Sequence, residues 1–122
     1  MKKLISSLLM AGLMTGTAQA GGADVVDVKV RAQSDDSFSF SVTVAHGDEG
    51  WEHYADSWQV LGSDGTVFGT RVLAHPHVDE QPFTRSKSGI KIPAGVTSVL
   101  VRAGDSVHGY SGKEMTVNLP GR

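Results

Sequence analysis

Five histidines are the side chains of this sequence best suited to chemistry: His46, His53, His75, His77 and His108. Neutral imidazole is the commonest protein ligand for Zn²⁺ and Cu²⁺, and rings that converge from separate elements form a preorganised site. His75 and His77 are two positions apart, a spacing that directs both rings to the same side of an extended segment. The pattern therefore predicts a transition-metal site.

Acidic residues follow the same stretches of sequence and could supply further ligands. They are Asp48, Glu49, Glu52, Asp79, Glu80 and Asp105. Carboxylates either bind a metal directly or orient the imidazoles that bind it. The chain has no cysteine, and Met115 is the only methionine after residue 20, so the soft ligand set that Cu(I) prefers is missing. We therefore predict Zn or Cu(II) as the cofactor.

The elements that must position these side chains are short β-strands. Alternation of apolar and polar residues is clearest from Phe38 to Val44, and Val26, Val28 and Val30 predict a buried face on the strand before it. Turn residues punctuate the chain at intervals, with Asp64-Gly65 as a hairpin turn. About seven strands in one domain predict an all-β fold, an immunoglobulin-like or fibronectin-like β-sandwich, with a small barrel as the alternative. No sustained helical period is present.

The order of the predicted strands brings the histidines together. His46 continues the inward parity of Phe38 to Val44, His53 lies in the following loop, and His108 follows the sixth strand. His75 and His77 follow the fourth strand. If successive strands run in opposite directions, all five reach one end of the sandwich, where such folds carry their binding loops.

The first twenty residues predict export. Lys2 and Lys3 precede a short apolar run, and Ala18-Gln19-Ala20 has the pattern that signal peptidase cleaves. The predicted organisation is a signal peptide at 1–20 and a single domain at 21–122, without a membrane span in the mature chain. The export signal therefore places the domain in the periplasm or outside the cell.

Composition argues against several classes of function. The chain has 11 basic and 13 acidic residues, and removal of Lys2 and Lys3 makes the mature domain more acidic, so nucleic acid is a poor partner. No Gly-x-Ser-x-Gly nucleophile elbow is present, and Asp79 and Glu80 are neighbours whose side chains diverge in an extended segment. We therefore expect a binding protein and not an enzyme.

The stretches His75-Pro-His-Val-Asp-Glu-Gln-Pro-Phe-Thr-Arg85 and Asp105-Ser-Val-His-Gly-Tyr110 resemble small uncharacterised exported proteins of Gram-negative bacteria. This resemblance brings no assigned activity. In size, compartment and use of histidine, the domain also has an architectural likeness to the copper-carrying β-sandwiches of the periplasm.

Two functions are compatible with these features. The first is a carrier, buffer or accessory protein that binds Zn or Cu(II) through the histidine cluster. The second is an interaction module that binds a periplasmic protein, without metal, through aromatic residues in the same loops: Trp51, Tyr54, Phe83 and Tyr110. Aromatic side chains exposed together can anchor a partner.

Overall fold

A computed structural model describes residues 21–122, which form seven β-strands and no helix. The predicted signal peptide at 1–20 lies outside the described residues. The strands are β1 (Asp24–Ala32), β2 (Ser37–Ala45), β3 (Ala55–Leu61), β4 (Val67–Val72), β5 (Phe83–Lys91), β6 (Ser98–Asp105) and β7 (Met115–Asn118). The predicted all-β fold is confirmed. Within the described part of the chain, no helix is long and apolar enough to cross a membrane.

The strands form two antiparallel sheets that pack as a β-sandwich. One sheet has the order β1-β2-β5 and the other the order β4-β3-β6-β7. Alternate residues of β2 point inward, and Trp58 on β3 is fully buried between the sheets. The two sheets stay packed together because each buries the apolar face of its strands against the other, away from water.

The buried face of β1 differs from the prediction at its start. Val25 is buried, whereas Val26 is about half exposed (48%), and the pairing with β2 shifts between Val25 and Asp27. A β-bulge of this kind adds one residue to the strand and reverses the side-chain alternation. Beyond the bulge, Val28 and Val30 pack against the core as predicted.

The pairing registers place all five histidines in loops at one end of the sandwich. Val44 pairs with Phe83, and Ala55 pairs with Asp105, so the loops β2–β3, β4–β5 and β6–β7 meet there. The opposite end carries the hairpin turn at Asp64-Gly65, where Gly65 has the positive φ of 90° that the Asp-Gly pair predicted. The strand order alone therefore explains why histidines far apart in sequence become neighbours.

Candidate functional site

Three side chains at this end form a group that could hold a metal ion. His46, His53 and Asp105 each offer one ligand atom, and these atoms all lie within 4.8 Å of one another. His46 directly follows β2 and Asp105 ends β6, so both belong to the rigid sheet edges, while His53 precedes β3 by two residues. The side chains of His46 and Asp105 are essentially inaccessible to water. The group is therefore a buried site and not a surface cluster.

Both ring nitrogens of His46 face oxygen acceptors. Nδ1 lies 2.6 Å from Oδ1 of Asp48, while Nε2 lies 3.3 Å from the Gly21 carbonyl and 3.4 Å from Oδ2 of Asp105. A neutral imidazole has only one N–H to donate. The short contact assigns that proton to Nδ1, which leaves the Nε2 lone pair directed at oxygen atoms. A cation between Nε2 and those oxygens would satisfy all of them.

His53 contributes a nitrogen that has no partner. Its Nε2 is buried, accepts and donates no hydrogen bond, and lies 3.6 Å from Oδ1 of Asp105. Its Nδ1 lies 3.3 Å from Glu49. Burial opposes protonation of this ring, but the Glu49 hydrogen bond, the charge of Asp105 and the Gly21 backbone together raise the pKa of His53. A cation is thus favoured at this position, whether it is a proton or a metal ion.

Asp105 supplies the negative charge of the group. Burial opposes its ionisation, but its carboxylate accepts the backbone N–H groups of Val107 and His108 at 2.8 and 2.5 Å. These bonds, together with His108 and His46, lower the pKa of Asp105 below its ordinary value. Its carboxylate is therefore ionised near neutral pH. This fixes a buried charge that the rings of His46, His53 and His108 face.

The distances in the group fit a small metal ion. Two ligand atoms of a tetrahedral Zn²⁺ site, each about 2.0–2.1 Å from the ion, are separated by about 3.3–3.4 Å. Nε2 of His46 and Oδ2 of Asp105 are 3.4 Å apart, and Nε2 of His53 and Oδ1 of Asp105 are 3.6 Å apart. The three ligand atoms as a set lie within 4.8 Å of one another, so binding of one ion would draw the longest of these separations in to about 3.3–3.4 Å.

His108 lies at the outer rim of the group. Its Nδ1 lies 3.3 Å from both carboxylate oxygens of Asp105, and its ring centre is 5.0 Å from that of His53. The side chain is 41% exposed, unlike that of His46. His108 thus covers the buried group from the solvent side.

His75 and His77 form a separate pair, although their rings do lie side by side as their spacing predicted. The ring centres are 4.7 Å apart. The His77 ring stacks on Phe83 at 3.9 Å, and its Nε2 accepts a hydrogen bond of 2.8 Å from Arg85. Because a guanidinium can only donate, the Nε2 lone pair of His77 is already used. Its Nδ1 is buried without a partner.

Asp48 connects the two histidine groups. Its Oδ1 accepts from His46 and from the Ala55 N–H at 3.0 Å, while its Oδ2 accepts the His77 N–H at 2.7 Å. Metal-ligating histidines commonly hold such a carboxylate on the nitrogen that does not bind the ion. The sequence indicated Asp48 only as one of six nearby acids. The signal in the sequence that could have singled out Asp48 is its position two residues after His46.

The aromatic residues of these loops have different surroundings. Trp51 is 66% exposed and packs edge-on against Tyr54 at 5.5 Å. Phe83 is buried, and the Tyr110 hydroxyl is bonded to Ser57 at 2.8 Å while its ring packs on Gly104. Only Trp51 therefore offers a largely exposed aromatic surface among the four predicted anchors.

Comparison with known proteins finds one clear relative. The chain is 45% identical over 96 residues to a protein of Halomicrobium mukohataei named "Putative lipoprotein". The match covers 79% of this chain and 47% of the relative, so the chain spans about half the length of that protein. The relative is archaeal, and it gives no support to an origin in Gram-negative bacteria. No family model and no solved structure matches the chain, so the immunoglobulin-like likeness stays a prediction.

Proposed function

We propose that this protein is an exported metal-binding protein that holds one Zn or Cu(II) ion through His46, His53 and Asp105. The observation that carries the proposal is the buried, unpartnered Nε2 of His53, which faces an ionised carboxylate beside the lone pair of His46. Buried polar atoms without partners are rare in folded proteins and ask for an explanation. A bound cation would give the Nε2 atom of His53 a partner and so explain its position.

The role we assign to the protein is that of a carrier, buffer or accessory protein of the periplasm or cell exterior, without catalysis. Export is supported by the signal pattern at 1–20 and by the relative's name, since a lipoprotein is exported or anchored to a membrane. Two imidazoles with one carboxylate suit Zn²⁺ and Cu²⁺ better than Mg²⁺ or Ca²⁺, which prefer oxygen ligands alone.

The proposed ligand set is narrower than the five histidines of the sequence-based prediction. His77 uses its Nε2 lone pair for Arg85, and His75 is exposed with its Nδ1 near the Pro76 carbonyl at 3.2 Å. We assign this pair to the packing around Phe83 and not to the ion. His108 is assigned to the rim.

Native mass spectrometry of residues 21–122, purified without a histidine tag and titrated with Zn²⁺ or Cu²⁺, tests the proposal. We expect one tightly held ion per chain, lost on adding a chelator or lowering the pH to about 5, where imidazoles protonate. His53→Ala should abolish tight binding. The matched control His75→Ala, which changes a histidine of the same end, should leave binding unchanged. No retained ion, or equal loss in both variants, would contradict the ligand assignment.

A second candidate function is capture of a periplasmic protein through the exposed loops, and Trp51 is the observation that favours it. Tryptophan is enriched at the anchoring positions of protein interfaces, and this one is 66% exposed. In that case, binding of a purified partner would be unaffected by chelator and lost in Trp51→Ala, which should retain full metal uptake. His53→Ala should show the opposite behaviour.

A further inference from the structure

The buried ligands of the proposed site have little direct contact with water. The side chains of His46 and Asp105 are essentially inaccessible, and that of His53 is mostly buried. His108, at 41% exposure, is the histidine of this group that solvent reaches most easily. An ion that arrives from solvent therefore meets His108 before it meets Asp105 or His46.

The His108 ring lies directly against the buried group. Its Nδ1 is 3.3 Å from both carboxylate oxygens of Asp105, and its ring centre is 5.0 Å from that of His53. A Cβ atom at Gly21 would lie 2.5 Å from Cε1 and 2.6 Å from Nε2 of this ring, so the ring rests on the Gly21 backbone. One residue thus contacts both the solvent and the proposed ligands.

The main chain around His108 is held in place, which confines movement to the side chain. Asp105 and Gly109 exchange two backbone hydrogen bonds of 3.1 Å, and the Asp105 carboxylate accepts the backbone N–H of His108. The N–H of Ser106 donates to the Tyr54 carbonyl at 2.9 Å. Exposed side chains change rotamer within picoseconds to nanoseconds, so the ring can turn without any opening of the loop.

The ring of His108 has the chemistry of a metal ligand. A neutral imidazole has one N–H, and the contact with the ionised Asp105 assigns that proton to Nδ1. The lone pair is then on Nε2, and the hydrogen bonds that the ring makes within the described residues pass through Nδ1. Metal-binding histidines have this arrangement, because a carboxylate on one nitrogen makes the other a stronger donor.

The neighbouring loops favour the approach of cations. Those between β2 and β3 (46–54) and between β4 and β5 (73–82) contain no Lys or Arg, and they carry the exposed acids Glu49, Glu52, Asp79 and Glu80. Charges of one sign raise the local concentration of the opposite ion and its rate of arrival. The end of the sandwich at which His108 is exposed is therefore suited to metal uptake.

We propose that His108 is the entry ligand of the site: its Nε2 binds the incoming ion first, and rotation of the ring then carries the ion to the three buried ligands. This inference rests on the proposed function. It adds that His108 sets the rates of uptake and release, whereas His46, His53 and Asp105 set the final affinity.

Stopped-flow measurement of Zn²⁺ uptake with a chromophoric indicator, and of release to excess chelator, tests this role in residues 21–122. His108→Phe keeps a ring over the buried group without a ligand nitrogen, and His108→Ala removes the ring. We expect both variants to take up and release Zn²⁺ about tenfold more slowly, which corresponds to about 1.4 kcal/mol on the barrier, while their Kd stays nearly unchanged. His75→Ala, at an exposed histidine of the same end, is the matched control and should keep both rates.

The two variants distinguish the entry role from its alternatives, once metal-free urea unfolding shows that they are equally stable. Faster uptake and release in His108→Ala, with His108→Phe unchanged, would make the ring a cover only. A weaker affinity caused by faster release in both variants would make His108 a permanent ligand. Unchanged rates in both would leave it without a role in uptake.

Each of these three results would overturn the entry role. If His53→Ala still abolished binding, the proposed function would stand. If the unaltered domain bound no Zn²⁺, both proposals would fall.

Discussion

Replacement of Asp48 by alanine tests whether this carboxylate organises the histidine end of the sandwich. The Asp48 side chain is fully buried and accepts three hydrogen bonds, from the ring of His46 and from the backbone N–H groups of Ala55 and His77. Alanine would leave three buried donors without an acceptor. Each costs about 1–3 kcal/mol when unpaired.

We expect Asp48→Ala to lower the free energy of unfolding by about 3–5 kcal/mol, because part of the cost is offset when the buried charge is removed. Domains of this size are stable by about 5–15 kcal/mol, so the loss is a large share. If the free energy of unfolding decreases by about 1–2 kcal/mol for each molar of urea, the urea concentration at the unfolding midpoint should fall by about 1.5 M or more.

The assay is urea unfolding of residues 21–122 with chelator present, so that metal does not contribute. Asp79→Ala is the matched control, since Asp79 is an exposed aspartate in a loop of the same end, and its effect should stay within about 0.5 kcal/mol. Asp48→Asn should be intermediate in stability and should weaken metal binding about 10- to 100-fold, because it no longer fixes the His46 ring. A loss below 1 kcal/mol in Asp48→Ala would refute this account of the site.

Three further predictions concern the core, the bulge and the pH response. Trp58→Ala should cost about 3–5 kcal/mol or prevent folding, as measured by urea unfolding, because Trp58 is completely buried between the sheets. Val25→Ala should cost about 1–2 kcal/mol and Val26→Ala less than about 0.5 kcal/mol; equal costs would contradict the bulge. Burial, the charge of Arg85 and neighbouring His75 lower the pKa of His77. As the pH falls, the His77 ring therefore takes up a proton in the unfolded chain before it does so in the folded chain. The free energy of unfolding should then decrease as the pH drops below about 6.5. His77→Leu should flatten that part of the pH–stability curve in chelator, and an unchanged slope would contradict the assignment.

The sequence by itself determined the fold class and the end of the sandwich at which the histidines lie. Apolar alternation along β2 and the Asp64-Gly65 turn are local signals, and both hold in the structure. Once the strands alternate in direction, the loops that carry the histidines must meet at one end. Local periodicity misjudged the start of β1, because a bulge such as the one after Val25 depends on the partner strand.

Tertiary structure alone decided which of these residues form one group. Sequence spacing favoured His75 and His77, but Arg85 and Phe83 engage the His77 ring, and both belong to the next strand. The group that forms instead joins His46, His53 and Asp105, which come from different loops and strand ends. Its contact with Gly21 depends on where the chain enters β1. Distances of a few ångströms between separate elements follow from packing of the two sheets, and no local pattern encodes them.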